Sequence, residues 1–233
     1  MSLTTTIADQ LARVRERIAA AAARAGRDPQ RITLVGATKT VEPARIQAAI
    51  EAGLRDFGEN YVQEARAKLA VPALRAPGVR WHLIGHLQTN KAKTAVGLFD
   101  IIQTLDSPRL AVALARHVPP GRRLEVLLEV DYTGAPERTG LRPEAVYATV
   151  EQVLGLPALE LSGLMTVPAP GLEEAETRAT FRRLRALRDE LARRYPAVAW
   201  RHLSMGMTDD FEWAIEEGAT IVRIGRAIFG PRP

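Results

Sequence analysis

The sequence predicts an α/β fold: a single (β/α)8 TIM barrel preceded by one extra N-terminal helix. Three observations carry that reading. From residue 32 onward, eight apolar segments of strand type alternate with eight helical ones. Such alternation implies a parallel sheet, and eight units is the number that closes a barrel. The competing doubly wound sheet opens on a glycine-rich turn, which the first turn here, "ATKTVEP", lacks. No linker or low-complexity tract interrupts the rhythm, so one domain is expected over residues 1–233.

The elements follow in order. Ile7, Leu11, Val14 and Ile18 recur at helical spacing between Thr4 and Arg24. A threonine run suited to capping opens this helix, and Gly26 ends it. Residues 32–38 read as the first strand. "VEPARIQAAIEAG" reads as its helix, with Pro43 in the first turn and Gly53 beyond the end. The strand "RDFGE" precedes a helix from Tyr61 to Leu69, and "RWHLIG" one from Thr89 to Val96. "FDIIQT" leads to a helix from Pro108 to His117, and "RLEVLLEV" to one from Pro143 to Leu154. The sixth strand, "ALELSGLMTV", feeds the long helix Glu173 to Arg194. "AWRHLSM" is followed by "DDFEWAIEEG", and "TIVRIG" by the short "RAIFG".

Composition narrows the class. Hydrophobic content of 46% and charged content of 25% are ordinary for a soluble globular protein. No apolar stretch is long enough to span a bilayer, and the N-terminus lacks the pattern of a secretory leader. With no cysteine there is neither a disulfide framework nor a thiolate metal site, which fits a cytoplasmic protein. A net charge of +5 admits an anionic ligand, but the arginines are scattered among carboxylates and aromatics make up only 5%. Nucleic-acid binding is therefore not expected, and no exposed heptad argues against a monomer.

Lysine usage singles out a reactive group. Of 32 basic residues only four are lysines: Lys39, Lys68, Lys91 and Lys93. Where charge alone is needed the chain uses arginine, which keeps its proton, whereas a buried lysine can release it and attack a carbonyl. Lys39 ends the first strand and so belongs to the face where barrels place their chemistry. The loops after strands seven and eight, "SMGMTDD" and "RIGRAIFG", share that face and are where such barrels often hold phosphate. Ser204 offers a hydroxyl, while Gly206 and Gly225 allow close backbone approach, with a helix start near Arg226. An amine beside a phosphate cup suggests an imine with a phosphorylated aldehyde or ketone. Arg223 closes the eighth strand, next to the first, and can supply a neighbouring cation.

Other polar candidates have plainer readings. His82 reads as a packed strand residue and His86 as a loop residue, neither with a carboxylate evident in sequence. Asp209 and Asp210 read as helix caps. Met165, Met205 and Met207 read as packing near the mouth, with Trp200 and Trp213 as core and helix-face anchors.

The stretches "TKT", "FGENYVQE", "WHLIGHLQTNK", "LSGLMTVPAP" and "LSMGMTDDFEWAIEEGATIVRIGRAIFG" together resemble the pyridoxal phosphate homeostasis proteins, the proline synthetase co-transcribed family. The resemblance runs from about residue 31 to the end. It implies an alanine-racemase-type barrel that carries pyridoxal 5′-phosphate as a Schiff base on Lys39. By the same matching, Asn60 faces the cofactor, and Ser204, Gly206, Gly225 and Arg226 fall at the phosphate. Arg223 falls near the ring nitrogen or the phosphate. Two departures stand out: Arg226 replaces a common Thr or Ser, and Asp131 and Arg138 replace a common Asn and Lys. The implied function is intracellular vitamin B6 homeostasis with little or no catalysis and no metal, the partners being apo-enzymes that accept the cofactor. A pyridoxal phosphate-dependent amino-acid racemase is the first alternative, a Schiff-base aldolase the second. In alanine-racemase relatives the second base comes from a further β domain, which is not expected in a chain ending at Pro233.

Overall fold

The structure is a computed structural model that describes residues 3–231, and the side chains of residues 6–231; Pro233 lies outside them. Eight parallel strands close in sequence order, with β8 hydrogen-bonded back to β1. They are β1 (Thr33–Ala37), β2 (Asp56–Glu59), β3 (Arg80–Leu83), β4 (Ile101–Leu105), β5 (Leu124–Glu129), β6 (Leu159–Met165), β7 (His202–Ser204) and β8 (Ile221–Ile224). The helices are α1 (Leu3–Arg24), α2 (Pro43–Glu51), α3 (Val62–Lys68), α4 (Ala92–Leu98), α5 (Pro108–Ala115), α6 (Val146–Leu154), α7 (Glu174–Arg194), α8 (Phe211–Glu216) and α9 (Arg226–Phe229).

The α1 helix starts at Leu3, so the threonine run lies inside its first turn rather than ahead of it. Gly26 ends it with a φ of 63°, a left-handed value that glycine adopts without steric cost. Ile7, Leu11, Val14 and Ile18 are buried as their spacing predicts. Two expected helices begin with a tighter turn: Thr89–Lys91 precedes α4, and Pro143–Ala145 precedes α6.

Two apolar clusters separate the layers. Val35, Ile101, Leu127, Met165 and Ile221 fill the barrel interior, while a much larger cluster packs helices against the outside of the sheet. Because side chains alternate along a strand, positions two residues from these interior residues share their face. Gln103, Glu125, Glu129 and Arg223 are therefore inward-facing. The closed sheet also removes every strand edge that would invite association.

Candidate functional site

At the carboxyl ends of the strands, Lys39 follows β1 and is half-buried, and Thr40 beside it has a φ of 62°. A non-glycine residue in that region requires support from its surroundings. Here the support is a buried cluster. Thr38 donates from Oγ1 to the Glu59 carboxylate (2.5 Å), and the Thr40 amide donates to Glu64 (2.6 Å). Lys68 Nζ donates to the Thr38 carbonyl (2.6 Å), to Glu59 (2.8 Å) and to Glu64 (2.7 Å). Three bonds are as many as an ammonium can give. Burial pushes the Glu59 carboxyl above its ordinary range, against the pull of Lys68 and Thr38. Lys68 is thus a buried lysine that the sequence reading did not distinguish.

Asn60 follows β2 and is half-buried at the same mouth. Gly85, beyond β3, runs so close to it that a Cβ there would sit 2.3 Å from the Asn60 carbonyl oxygen. Only glycine permits this approach.

Arg223 pairs in register with Val35 of β1, which places its cation beside the Lys39 strand, as expected. It is 4% exposed and donates to Ser204 Oγ (2.5 Å) and to the Thr166 carbonyl (3.0 Å). Burial lowers its pKa to about 10, while Asp210 and Glu129 work to raise it. It remains a cation at neutral pH.

Ser204 is placed differently from the expectation of a phosphate contact. It is fully buried, and its single O–H donates to Gln103 Oε1 at 2.6 Å. As arranged here, that proton is already committed. The turn after β7 packs closely on α8: Gly206 has a φ of 95°, and a Cβ there would lie 2.5 Å from Ala214 Cβ and 2.9 Å from Phe211 Cα. At Gly225, just before the single turn of α9, a Cβ would come 3.2 Å from the Ala37 carbonyl oxygen. The turn at Gly225 touches the end of β1, and the turn at Gly206 lies one strand further round the barrel. Arg226 does not extend into the mouth unpaired; its guanidinium meets the Asp209 carboxylate and links the β7 and β8 loops.

The expectation of two capping aspartates needs correcting. Asp209 pairs with Arg226, and Asp210 stands at the N-cap of α8 but turns its carboxylate back to the Met207 amide (2.5 Å). Met165 and Met205 are buried as expected, whereas Met207 is exposed. Both histidines have carboxylate partners: His82 Nε2 lies 3.0 Å from Asp56, and His86 Nδ1 lies 3.0 Å from Asp106. Trp200 is buried and Trp213 packs on the core, as read. Asp131 holds its own loop, accepting from the Thr133 and Gly134 amides, and Arg138 caps the Val167 and Pro168 carbonyls.

The mouth also contains a group that sequence reasoning missed. Glu129, the last residue of β5, is 8% exposed. Burial and the nearby Asp106 push its carboxyl up to about 7, opposed by Arg223, Thr139 and Arg138. The available signal was parity: Glu125 and Glu129 stand two residues either side of Leu127, on the inward face of an apolar strand.

Among known proteins, residues 10–233 match the family described as alanine racemase, N-terminal domain. A pyridoxal phosphate homeostasis protein of Aquifex aeolicus is 46% identical, covering 96% of this chain and 97% of that protein. One from Escherichia coli is 41% identical, over 97% of both chains. The solved structure of PipY from Synechococcus elongatus with PLP bound superposes at a TM-score of 0.84 with 37% identity, covering 96% of this chain and all of that one. Alanine racemase from Corynebacterium glutamicum shares the fold, at a TM-score of 0.71 and 17% identity over 98% of this chain and 62% of the racemase. The chain belongs to the alanine racemase N-terminal domain family and, within it, to the pyridoxal phosphate homeostasis proteins.

Proposed function

We propose that this barrel, residues 1–233, binds pyridoxal 5′-phosphate on Lys39 and serves as a carrier in its cellular homeostasis. The single observation that carries this is a half-buried lysine at the end of β1, next to the strand that bears the buried cation Arg223 and the glycine turn at Gly225. That donor set fits the group. An aldehyde needs an amine, and a phosphate dianion suits a mouth with a nearby cation and closely approaching backbone. The relatives' shared name supports the same assignment.

When bound, pyridoxal phosphate supplies an aldehyde that condenses reversibly with a primary amine. Everything else falls to residues of this chain. Lys39 provides the amine, held at its strand end by the Lys68–Glu59–Thr38 cluster. Gly206 and Gly225 keep side chains away from the phosphate loops, and Arg223 balances its negative charge. Asn60 contributes a polar contact from the β2 side. Arg226, tied to Asp209, holds the two loops together. Handing the group to acceptor apo-enzymes requires only that the mouth admit an incoming amine.

Reduction of pyridoxal phosphate-loaded protein with borohydride, followed by peptide mapping, tests this. The label belongs on the Lys39 peptide; a label confined to Lys68, Lys91 or Lys93 refutes the assignment. A racemase is the second reading, favoured by Glu129, whose carboxyl exchanges protons near neutral pH inside the mouth. Incubating loaded protein with each L-amino acid in deuterium oxide distinguishes the two. Rapid Cα exchange that is abolished by Lys39→Ala establishes the racemase; its absence supports the carrier.

A further inference from the structure

A continuous row of hydrogen bonds crosses the barrel interior beneath the mouth. It begins at Arg223, whose Nη1 donates to Ser204 Oγ (2.5 Å). Ser204 donates to Gln103 Oε1 (2.6 Å), and Gln103 Nε2 reaches His82 Nδ1 (2.8 Å). His82 Nε2 then meets Asp56 Oδ1 (3.0 Å), which Arg80 also pairs from the far end. His82, Gln103 and Ser204 are fully buried.

The donor and acceptor chemistry allows one direction. Although burial opposes it, the His82 bond and Arg80 hold the Asp56 carboxyl below its ordinary value, so it only accepts. His82 Nε2 must therefore carry a hydrogen. With that one hydrogen on the ring, Nδ1 accepts from the Gln103 amide, and Gln103 Oε1 accepts from Ser204. Reversing the Gln103 amide would turn an N–H toward Ser204, which already accepts from Arg223. The buried serine proton would then lose its acceptor and carry its full desolvation penalty. With the amide as placed, every member is satisfied, and a cation and an anion terminate the two ends.

We propose that Asp56, His82 and Gln103 act as a positioning relay that fixes the direction of the Arg223 guanidinium at the mouth. The relay makes the amino-terminal end of the barrel part of the binding site, through residues that do not reach the ligand. Its consequence for the cofactor rests on the pyridoxal phosphate reading above, but its internal polarity does not.

Two measurements separate these. The first uses cofactor-free protein: ring-nitrogen NMR at about pH 8 should show His82 as the Nε2–H tautomer. Gln103→Glu, which as a carboxylate can accept from Ser204 but cannot donate to Nδ1, should move the ring off that tautomer. An Nδ1–H ring in the wild type overturns the relay. The second is titration with pyridoxal phosphate. Gln103→Met, and Asp56→Asn at the more tolerant outer end, should weaken binding by about tenfold and about threefold. Both should also displace the absorption band of the bound cofactor, which a purely structural role would leave in place. Folded variants with wild-type affinity and an unmoved band overturn the positioning role. Failure of the wild type to bind the cofactor overturns the function proposed above and leaves the tautomer result standing.

Discussion

Glu129 makes a quantitative test of how this barrel handles a buried charge. Its carboxyl sits near 7 in the folded protein, against an ordinary 4.5, because the mouth removes water and Asp106 lies close. The folded state therefore keeps a proton that the unfolded chain has already lost. The sign follows from linkage: where the folded state binds more protons, stability falls as pH rises. The loss begins near the unfolded value of 4.5 and is complete above about 7. At about 1.4 kcal/mol for each pH unit, the interval is worth about 3 kcal/mol. Replacing Glu129 with Gln keeps the shape and hydrogen-bonding capacity but removes the titration. Urea unfolding of cofactor-free wild type and Glu129→Gln between about pH 5 and about pH 8 measures the effect. The variant should gain on the wild type by about 3 kcal/mol across that range, most of it between about pH 5 and about pH 7. A difference between the two that stays constant over the series refutes the reasoning, since a packing effect does not depend on pH.

The other predictions concern the surrounding site. Lys68→Met should cost about 3 kcal/mol in urea unfolding, since it strands the buried Glu59; Glu59→Leu added to it should restore much of the loss. Gly206→Ala should weaken both stability and pyridoxal phosphate binding, because φ is 95° and the new methyl would meet Ala214. Pyridoxal phosphate should bind far better than pyridoxal in parallel titrations, the charge-assisted contacts being to the dianion. Ser204→Ala should weaken cofactor binding by roughly 1–2 kcal/mol, acting through Arg223, whose Nη1 loses its acceptor.

The fold was legible because it depends on two periodicities and on chain punctuation, all of which are local. Apolar strand segments, proline at the start of α2 and α5 and glycine after α1 and α2 place the elements within a few residues. Barrel closure then follows from the number of units, and closure puts Lys39, Asn60, Gly206, Gly225 and Arg226 at the carboxyl ends and Arg223 beside β1. These positions require only strand order and direction. What could not be read is which polar groups meet inside. Asp56, His82, Gln103, Ser204 and Arg223 come from β2, β3, β4, β7 and β8, and the Ser204–Gln103 bond spans 101 residues. Ser204 and Arg223 stand out by their place at strand ends, but Asp56, His82 and Gln103 alone resemble ordinary strand residues. Glu59 and Lys68 are only nine residues apart, yet they too escaped notice, because their pairing depends on α3 folding back on the end of β2. The missing information is the strand-to-strand stagger that decides which inward side chains share a layer of the barrel. Parity supplies a partial remedy. Once Val35, Ile101, Leu127, Met165 and Ile221 are known to fill the interior, a polar residue two positions away must find a partner across the barrel. Gln103 does so with Ser204 of β7, and Glu129 and Arg223, which share that parity, also bear on the mouth.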